Sequence, residues 1–170
     1  MQERTFSLLT RGRAALAVVW AVAFVVAVGD RVPTTATELT AAIALLLAAY
    51  PLIDAVSSFV ERRWVNGALS TLAAVALAVT GFAGDARDAL LVFGAWAAVS
   101  GALQLALALR HRDGWPMIVS GGLSTLAGVS FVAASSREEA QLAMLAGYAA
   151  VGAVLYLVST FRARRAVAVA

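Results

Sequence analysis

Few side chains in these 170 residues are placed to do chemistry, and Asp54 is the first of them. It is the single charge in an apolar tract from Leu39 to Val60, eight residues before Arg62. An ionised aspartate in hydrocarbon costs on the order of 2.5–3.5 kcal/mol on insertion scales, so such a residue normally faces a partner or a cavity. Eight residues of helix rise amount to roughly 12 Å, which sets Asp54 in one half of a bilayer and away from its midplane. Ser57 and Ser58 follow one turn on, on the same face. Pro51 precedes it, and a proline inside a helix leaves the carbonyl of Leu47 without its amide partner. A carboxyl, two hydroxyls and a freed carbonyl within two turns describe a polar pocket. Two uses fit. One is a proton- or cation-responsive site. The other, the commoner arrangement, is a tie in which a protonated or hydrogen-bonded carboxyl joins its helix to a neighbour such as Gln104 or Tyr156.

The remaining candidates have plainer readings. His111 lies between Arg110 and Arg112 and reads as a solvated turn residue. Asp85, Asp88, Glu138 and Glu139 read as solvated loop ends, and Thr34 or Thr37 as the start of a helix. The absence of cysteine excludes disulfides, thiolate metal sites and cysteine catalysis, and the absence of lysine excludes Schiff-base chemistry. Metal-ligand clusters, nucleophile elbows, phosphate loops and dinucleotide fingerprints do not occur. The expectation is a non-enzymatic protein with neither cofactor nor metal.

The elements that must position Asp54 follow from hydropathy. Hydrophobic residues make up 62% of the chain and charged residues 14%, with mean hydropathy +0.86. A soluble domain needs a charged shell that this composition cannot supply. A span needs roughly 20 apolar residues to cross a hydrocarbon core. Cutting the chain at its charges leaves six such tracts, at about 14–29, 39–60, 64–84, 89–109, 114–136 and 140–161, which predict a single all-α integral membrane domain over 1–170. The first tract is short, follows basic residues and ends in Ala27-Val28-Gly29, so a cleaved signal peptide is the alternative there. Ten arginines fall at the N-terminus, the 61–63 turn, the 110–113 turn and the tail. The alternate loops hold three arginines against six acids, which predicts both termini in the cytoplasm. The net charge of +3 therefore marks topology and not nucleic-acid binding.

Self-similarity organises the tracts further. Gly67-Ala68-Leu69-Ser70-Thr71-Leu72-Ala73 and Gly121-Gly122-Leu123-Ser124-Thr125-Leu126-Ala127 agree at six of seven positions. Tracts one and three end alike in Gly29-Asp30 and Gly84-Asp85. On the even tracts Tyr50, Trp96 and Tyr148 are followed at +4 by Asp54, Ser100 and Gly152, and at +8 by Ser58, Gln104 and Tyr156. These steps keep one helical face. The pattern predicts three tandem helical hairpins, parallel copies about a pseudo-threefold axis along the membrane normal.

Three two-helix units with an aromatic near the middle of each even helix resemble the HdeD-like acid-resistance membrane proteins. Gly94-Ala95-Trp96 through Ser100-Gly101 to Arg110, then Gly114-Trp115 and the Gly121 heptapeptide, carry the likeness, which extends roughly from Ala14 to Arg162. The resemblance implies a bacterial inner-membrane protein linked to envelope or acid stress, acting as a scaffold or interaction module, and supplies no catalytic residues. The rival reading is a small-solute, proton or cation conduit lined by Asp54, Ser58, Gln104 and Tyr156. Small-residue stripes at Ser120, Ser124 and Gly128, at Ala97 and Gly101, and at Ala143 and Gly147 would let helices approach closely, within the chain or against a second copy or another membrane protein. Trp64 and Trp115 read as interfacial anchors, and Trp20 and Trp96 as deeper residues. The lipid bilayer is the expected partner.

Overall fold

A computed structural model describes residues 2–29, 36, 38–112, 114–139 and 142–169, with the side chains of 2–11, 13–14, 156–157 and 159–169 outside the description. Six helices account for nearly all of it: α1 Gln2–Val28, α2 Ala41–Val60, α3 Trp64–Ala83, α4 Ala86–His111, α5 Trp115–Ala134 and α6 Ala143–Val169. Among the described residues there is no strand; an isolated antiparallel bridge joins Glu38 and Asp85.

The helix ends are set by local chemistry. Thr40, in extended conformation, starts α2 by accepting from the Ile43 amide at 3.4 Å. The threonines expected to start this helix, Thr34 and Thr37, lie outside the described residues. Asp85 starts α4 by accepting from the Asp88 amide at 3.0 Å, and Asp88 adds a negative charge to that first turn. At the opposite end of the bundle an arginine in the left-handed region follows each even helix, Arg62 with φ 60° just past the Glu61 cap of α2 and Arg112 with φ 55° as the cap of α4. Each is followed within three residues by a tryptophan that opens the next helix, Trp64 or Trp115.

α2, α3, α4 and α5 are long and apolar enough to cross a membrane. The apolar parts of α1 and α6 within the described residues are shorter, Ala15–Val28 and Ala143–Leu155. Roughly a third of each long helix is buried within the bundle. What faces outward is apolar: Val26, Leu72 and Leu126 are among the most exposed side chains, whereas Asp54, Ser57, Ser58, Ser70 and Ser124 are buried. That distribution is inverted relative to a water-soluble helical domain and suits a lipid surround.

Every helix packs against its neighbours in sequence, and α6 returns to pack on α1, so the six helices form a closed ring. Contact is most extensive for α4 with α5, α2 with α3 and α1 with α6, and lighter for α1 with α2, α3 with α4 and α5 with α6. Close approach explains the first two pairs. A Cβ on Gly101 would stand 2.6 Å from the Thr125 amide nitrogen, and one on Gly128 would collide with the backbone of Ala98. On α3, a Cβ at Gly81 would stand 2.7 Å from that of Ala44. By contrast Gly122 and Gly147 have nothing within 4 Å of where a Cβ would sit, so the small face of α6 at Gly147 is not used in this way.

Substituting Gly128 by leucine should therefore drive α4 and α5 apart and destabilise the detergent-solubilised protein by at least about 1–3 kcal/mol in a thermal unfolding assay. Gly122→Ala should leave stability unchanged or raise it by up to about 1 kcal/mol. Equal effects at the two positions would contradict the packing described.

Candidate functional site

α2 and α3 run antiparallel about the 61–63 turn, so residues equally far from Arg62 meet across the pair. Ser58 faces Asn66, and Asp54 faces Ser70. Asn66 Nδ2 donates to Ser58 Oγ at 2.8 Å and to Asp54 Oδ2 at 2.7 Å. Ser70 Oγ donates to the same carboxylate oxygen at 2.5 Å, and itself accepts from the Trp96 indole nitrogen on α4 at 2.9 Å. A chain of donors thus runs from Trp96 through Ser70 to Asp54 and ties α4, α3 and α2 together. Asp54 is 7% exposed and Ser70 and Ser58 are fully buried, so these bonds are made out of water, where leaving a polar group unmet is most costly. Ser57, by contrast, donates back along its own helix to Ile53 O at 2.8 Å and Asp54 O at 3.1 Å.

The same device recurs one pair further on. Ser124 on α5 donates to the carbonyl of Ala97 on α4 at 3.0 Å and lies 2.7 Å from the Tyr148 hydroxyl on α6. Because a serine carries one proton and gives it to Ala97, Tyr148 is the donor in the second bond. The aromatic of one even helix donates to a serine on the odd helix before it, which donates to the even helix before that. On α1, Ala17 packs against Tyr50 and Ala153. Trp20 supplies the polar contact there, donating its indole N–H to Leu46 O on α2 at 2.5 Å.

Tyr50, Trp96 and Tyr148 meet at the centre of the ring. The Tyr50 ring lies 5.9 Å from Trp96 and 6.2 Å from Tyr148, and Phe93 stands 5.3–6.0 Å from Tyr50, Trp96, Phe131 and Tyr148. Trp20 stacks on Phe24 at 4.8 Å and closes on Tyr50 at 4.6 Å. Toward the helix ends near residues 84–86 and 134–142 the interior continues as buried Leu47, Leu77, Leu90, Leu142 and Leu145. Toward the other end lies a cavity of about 70 Å³, bounded by the three aromatics and reached by Asp54, Gln104, Ser120 and Ser124. It has room for a few water molecules, and the aromatic layer closes it on one side.

Asp54, Gln104, Ser120 and Ser124 therefore share one cavity. Gln104 Nε2 is 3.3 Å from the Met117 carbonyl on α5, which joins α4 to α5 and not to Asp54. Ser58 is committed to Asn66, and Ser57 to its own helix. Ala97, Gly101, Ser124 and Gly128 lie in the α4–α5 contact, whereas Ser120 borders the cavity. Tyr156 lies on α6 with its side chain outside the described residues. Trp20 and Trp96 are buried and Trp64 and Trp115 exposed. His111 is exposed at the end of α4.

Sequence reasoning missed Asn66 and Ser70, which both donate to Asp54. Their signal was the equal spacing of Ser58 and Asn66, and of Asp54 and Ser70, about Arg62. No family model, characterised protein or solved structure matches this chain.

The donor chain predicts energetic coupling. In a double-mutant cycle of Ser70→Ala and Trp96→Phe, stability in detergent should show a coupling of about 0.6–1.7 kcal/mol, from the average to the upper end for interhelical hydrogen bonds in membranes. Additive losses would mean that the Trp96–Ser70 bond contributes nothing.

Proposed function

We propose that this chain is a multi-pass inner-membrane protein of the HdeD-like kind, a non-enzymatic scaffold or interaction module in envelope or acid stress, and that all six helices span the membrane with both termini cytoplasmic. The observation that carries the scaffold reading over a conduit is the aromatic layer of Tyr50, Phe93, Trp96, Phe131 and Tyr148, which leaves the polar cavity blind. A conduit needs polar groups on both sides of such a layer; here the far side, among the described residues, is lined by Leu47, Leu77, Leu90, Leu142 and Leu145.

Several features support the finer architecture. The α1–α6 contact treats the first and last helices as full members of the ring, and Trp20 and Phe24 of α1 lie in its core, which favours a retained first span over a cleaved one. The paired donor chains through Ser70 and Ser124 and the paired left-handed arginines at 62 and 112 are what parallel two-helix copies would produce. The contact pattern adds that the tightest pairs are α2–α3, α4–α5 and α6–α1, each joining the second helix of one proposed copy to the first helix of the next. The excess of arginine on alternate loops supports the orientation, and the resemblance in residue pattern suggests the stress role.

Three outcomes test this. A reporter fused after Ala170 should be active only in the cytoplasm and one near Asp85 only outside; the reverse would overturn the orientation. Liposomes containing the protein should pass protons or cations no faster than empty ones, whether residue 54 is Asp or Asn, and an Asp54-dependent flux would instead establish the conduit. A deletion strain should survive low pH less well than its parent, and ordinary survival would remove the stress role.

A further inference from the structure

At the turn joining α2 to α3 the bundle surface carries a groove of about 320 Å³. Arg62, Arg63, Trp64 and Asn66 line it from the turn and the start of α3, and Leu103 and Leu107 from α4. Its chemistry is graded along the bundle axis. The arginines stand at the helix ends, where a membrane meets water, and the two leucines lead from there toward the bundle's middle. Trp64 is 65% exposed beside the arginines, the position an interfacial indole takes.

The charges at the rim do not cancel. Arg63 is 3.6 Å from Glu61, but among the described residues Arg62 has no ion pair. Arg110 follows Leu107 by three residues and so stays on the same face of α4, bringing a third guanidinium against one carboxylate. Asn66 meanwhile has its amide committed to Ser58 and Asp54, so the groove borders the Asp54 network through one side chain.

We propose that this groove binds an anionic phospholipid, its phosphodiester held by Arg62 and Arg63 and an acyl chain laid along Leu107 and Leu103. Arginine pairs suit phosphate geometry, and basic pockets between spanning helices select acidic headgroups. A partner helix would fit the leucines but leave the arginines unmet, and an acidic soluble peptide would fit the arginines but not an apolar wall at membrane depth. The proposal rests on the membrane-embedded reading, not on the orientation or on what the Asp54 cavity does.

The test is native mass spectrometry of the full chain in mild detergent, titrated with phosphatidylglycerol or phosphatidylcholine. Phosphatidylglycerol should be retained and phosphatidylcholine lost. The double substitution Arg62→Gln, Arg63→Gln should weaken phosphatidylglycerol roughly ten- to thirty-fold, while Arg137→Gln at the other end of the bundle should not. Equal retention of the two lipids, an unaffected double variant, or displacement by inorganic phosphate at equal concentration would overturn the proposal. If the double variant does not fold, phosphatidylglycerol brominated on its acyl chain decides: it should quench the wild-type chain's emission, and Trp64→Phe should remove part of that quenching. Quenching indifferent to Trp64 would overturn the proposal. A chain that stays monodisperse without detergent would instead overturn the membrane reading, before any lipid is added.

Discussion

Apolar helices surrounded by apolar solvent gain nothing from the hydrophobic effect by meeting one another. A bundle with Val26, Leu72 and Leu126 on its outside must therefore be held by contacts that lipid cannot imitate. This protein uses two. One is backbone approach closer than lipid tails allow, at Gly81 against Ala44 and at Gly101 and Gly128 across α4 and α5. The other is hydrogen bonding between helices, whose polar groups would otherwise be stranded in hydrocarbon. The distribution of residues follows: small and polar inside, large and apolar outside.

The two devices are divided unevenly round the ring. α4 and α5 carry four closely approached glycines, Gly94, Gly101, Gly121 and Gly128, and a backbone carbonyl, that of Ala97, accepts the Ser124 proton. α2 and α3 have side chains on both sides of the corresponding bonds, with Asp54 and Ser58 accepting and Ser70 and Asn66 donating. Both pairs then reach the next even helix through a serine, to Trp96 in one case and Tyr148 in the other. The aromatics brought together in this way fill the axis of the ring, so the closure of the centre is a consequence of how neighbouring helices are tied.

The one-dimensional part of this architecture was legible in the sequence. Helix boundaries such as 64–84 against the observed Trp64–Ala83 follow from hydropathy contrast and charged ends, which need no knowledge of neighbours. The buried face of α2 was legible too, because four-residue steps keep Tyr50, Asp54 and Ser58 together. What meets that face was not. Of the two neighbours expected to meet Asp54, Gln104 turns to Met117 and Tyr156 has its side chain outside the described residues, while Asn66 and Ser70 both donate to the carboxylate. Periodicity gives the direction of a side chain within its own helix and says nothing about how the next helix is rotated. Gly147 illustrates the same limit: its spacing matches that of the glycines on α5, but α6 turns it to open space. The pairing of α1 with α6 has no local signal at all, since the two are at opposite ends of the chain.

Why an aspartate should be kept where an uncharged acceptor serves the next pair is a question of register. Two long alanine- and leucine-rich helices can slide along each other by a turn, roughly 5 Å, with modest loss of packing. The rungs Ser58–Asn66 and Asp54–Ser70 are themselves one turn apart. A slip by one turn would bring an asparagine opposite Asp54 or a serine opposite Ser58 but would strand the outer member of each helix, and it would pull Ser70 away from Trp96. α4 and α5 need no such lock, because a displaced glycine brings a Cβ into the backbone of its neighbour. In this light the buried polar groups of α2 and α3 set position more than they add strength, as a single buried polar residue does in the coiled coils where that role is best attested. The cavity beside Asp54 is then the space left where a polar tie, needed for alignment, adjoins an aromatic layer too rigid to fill it.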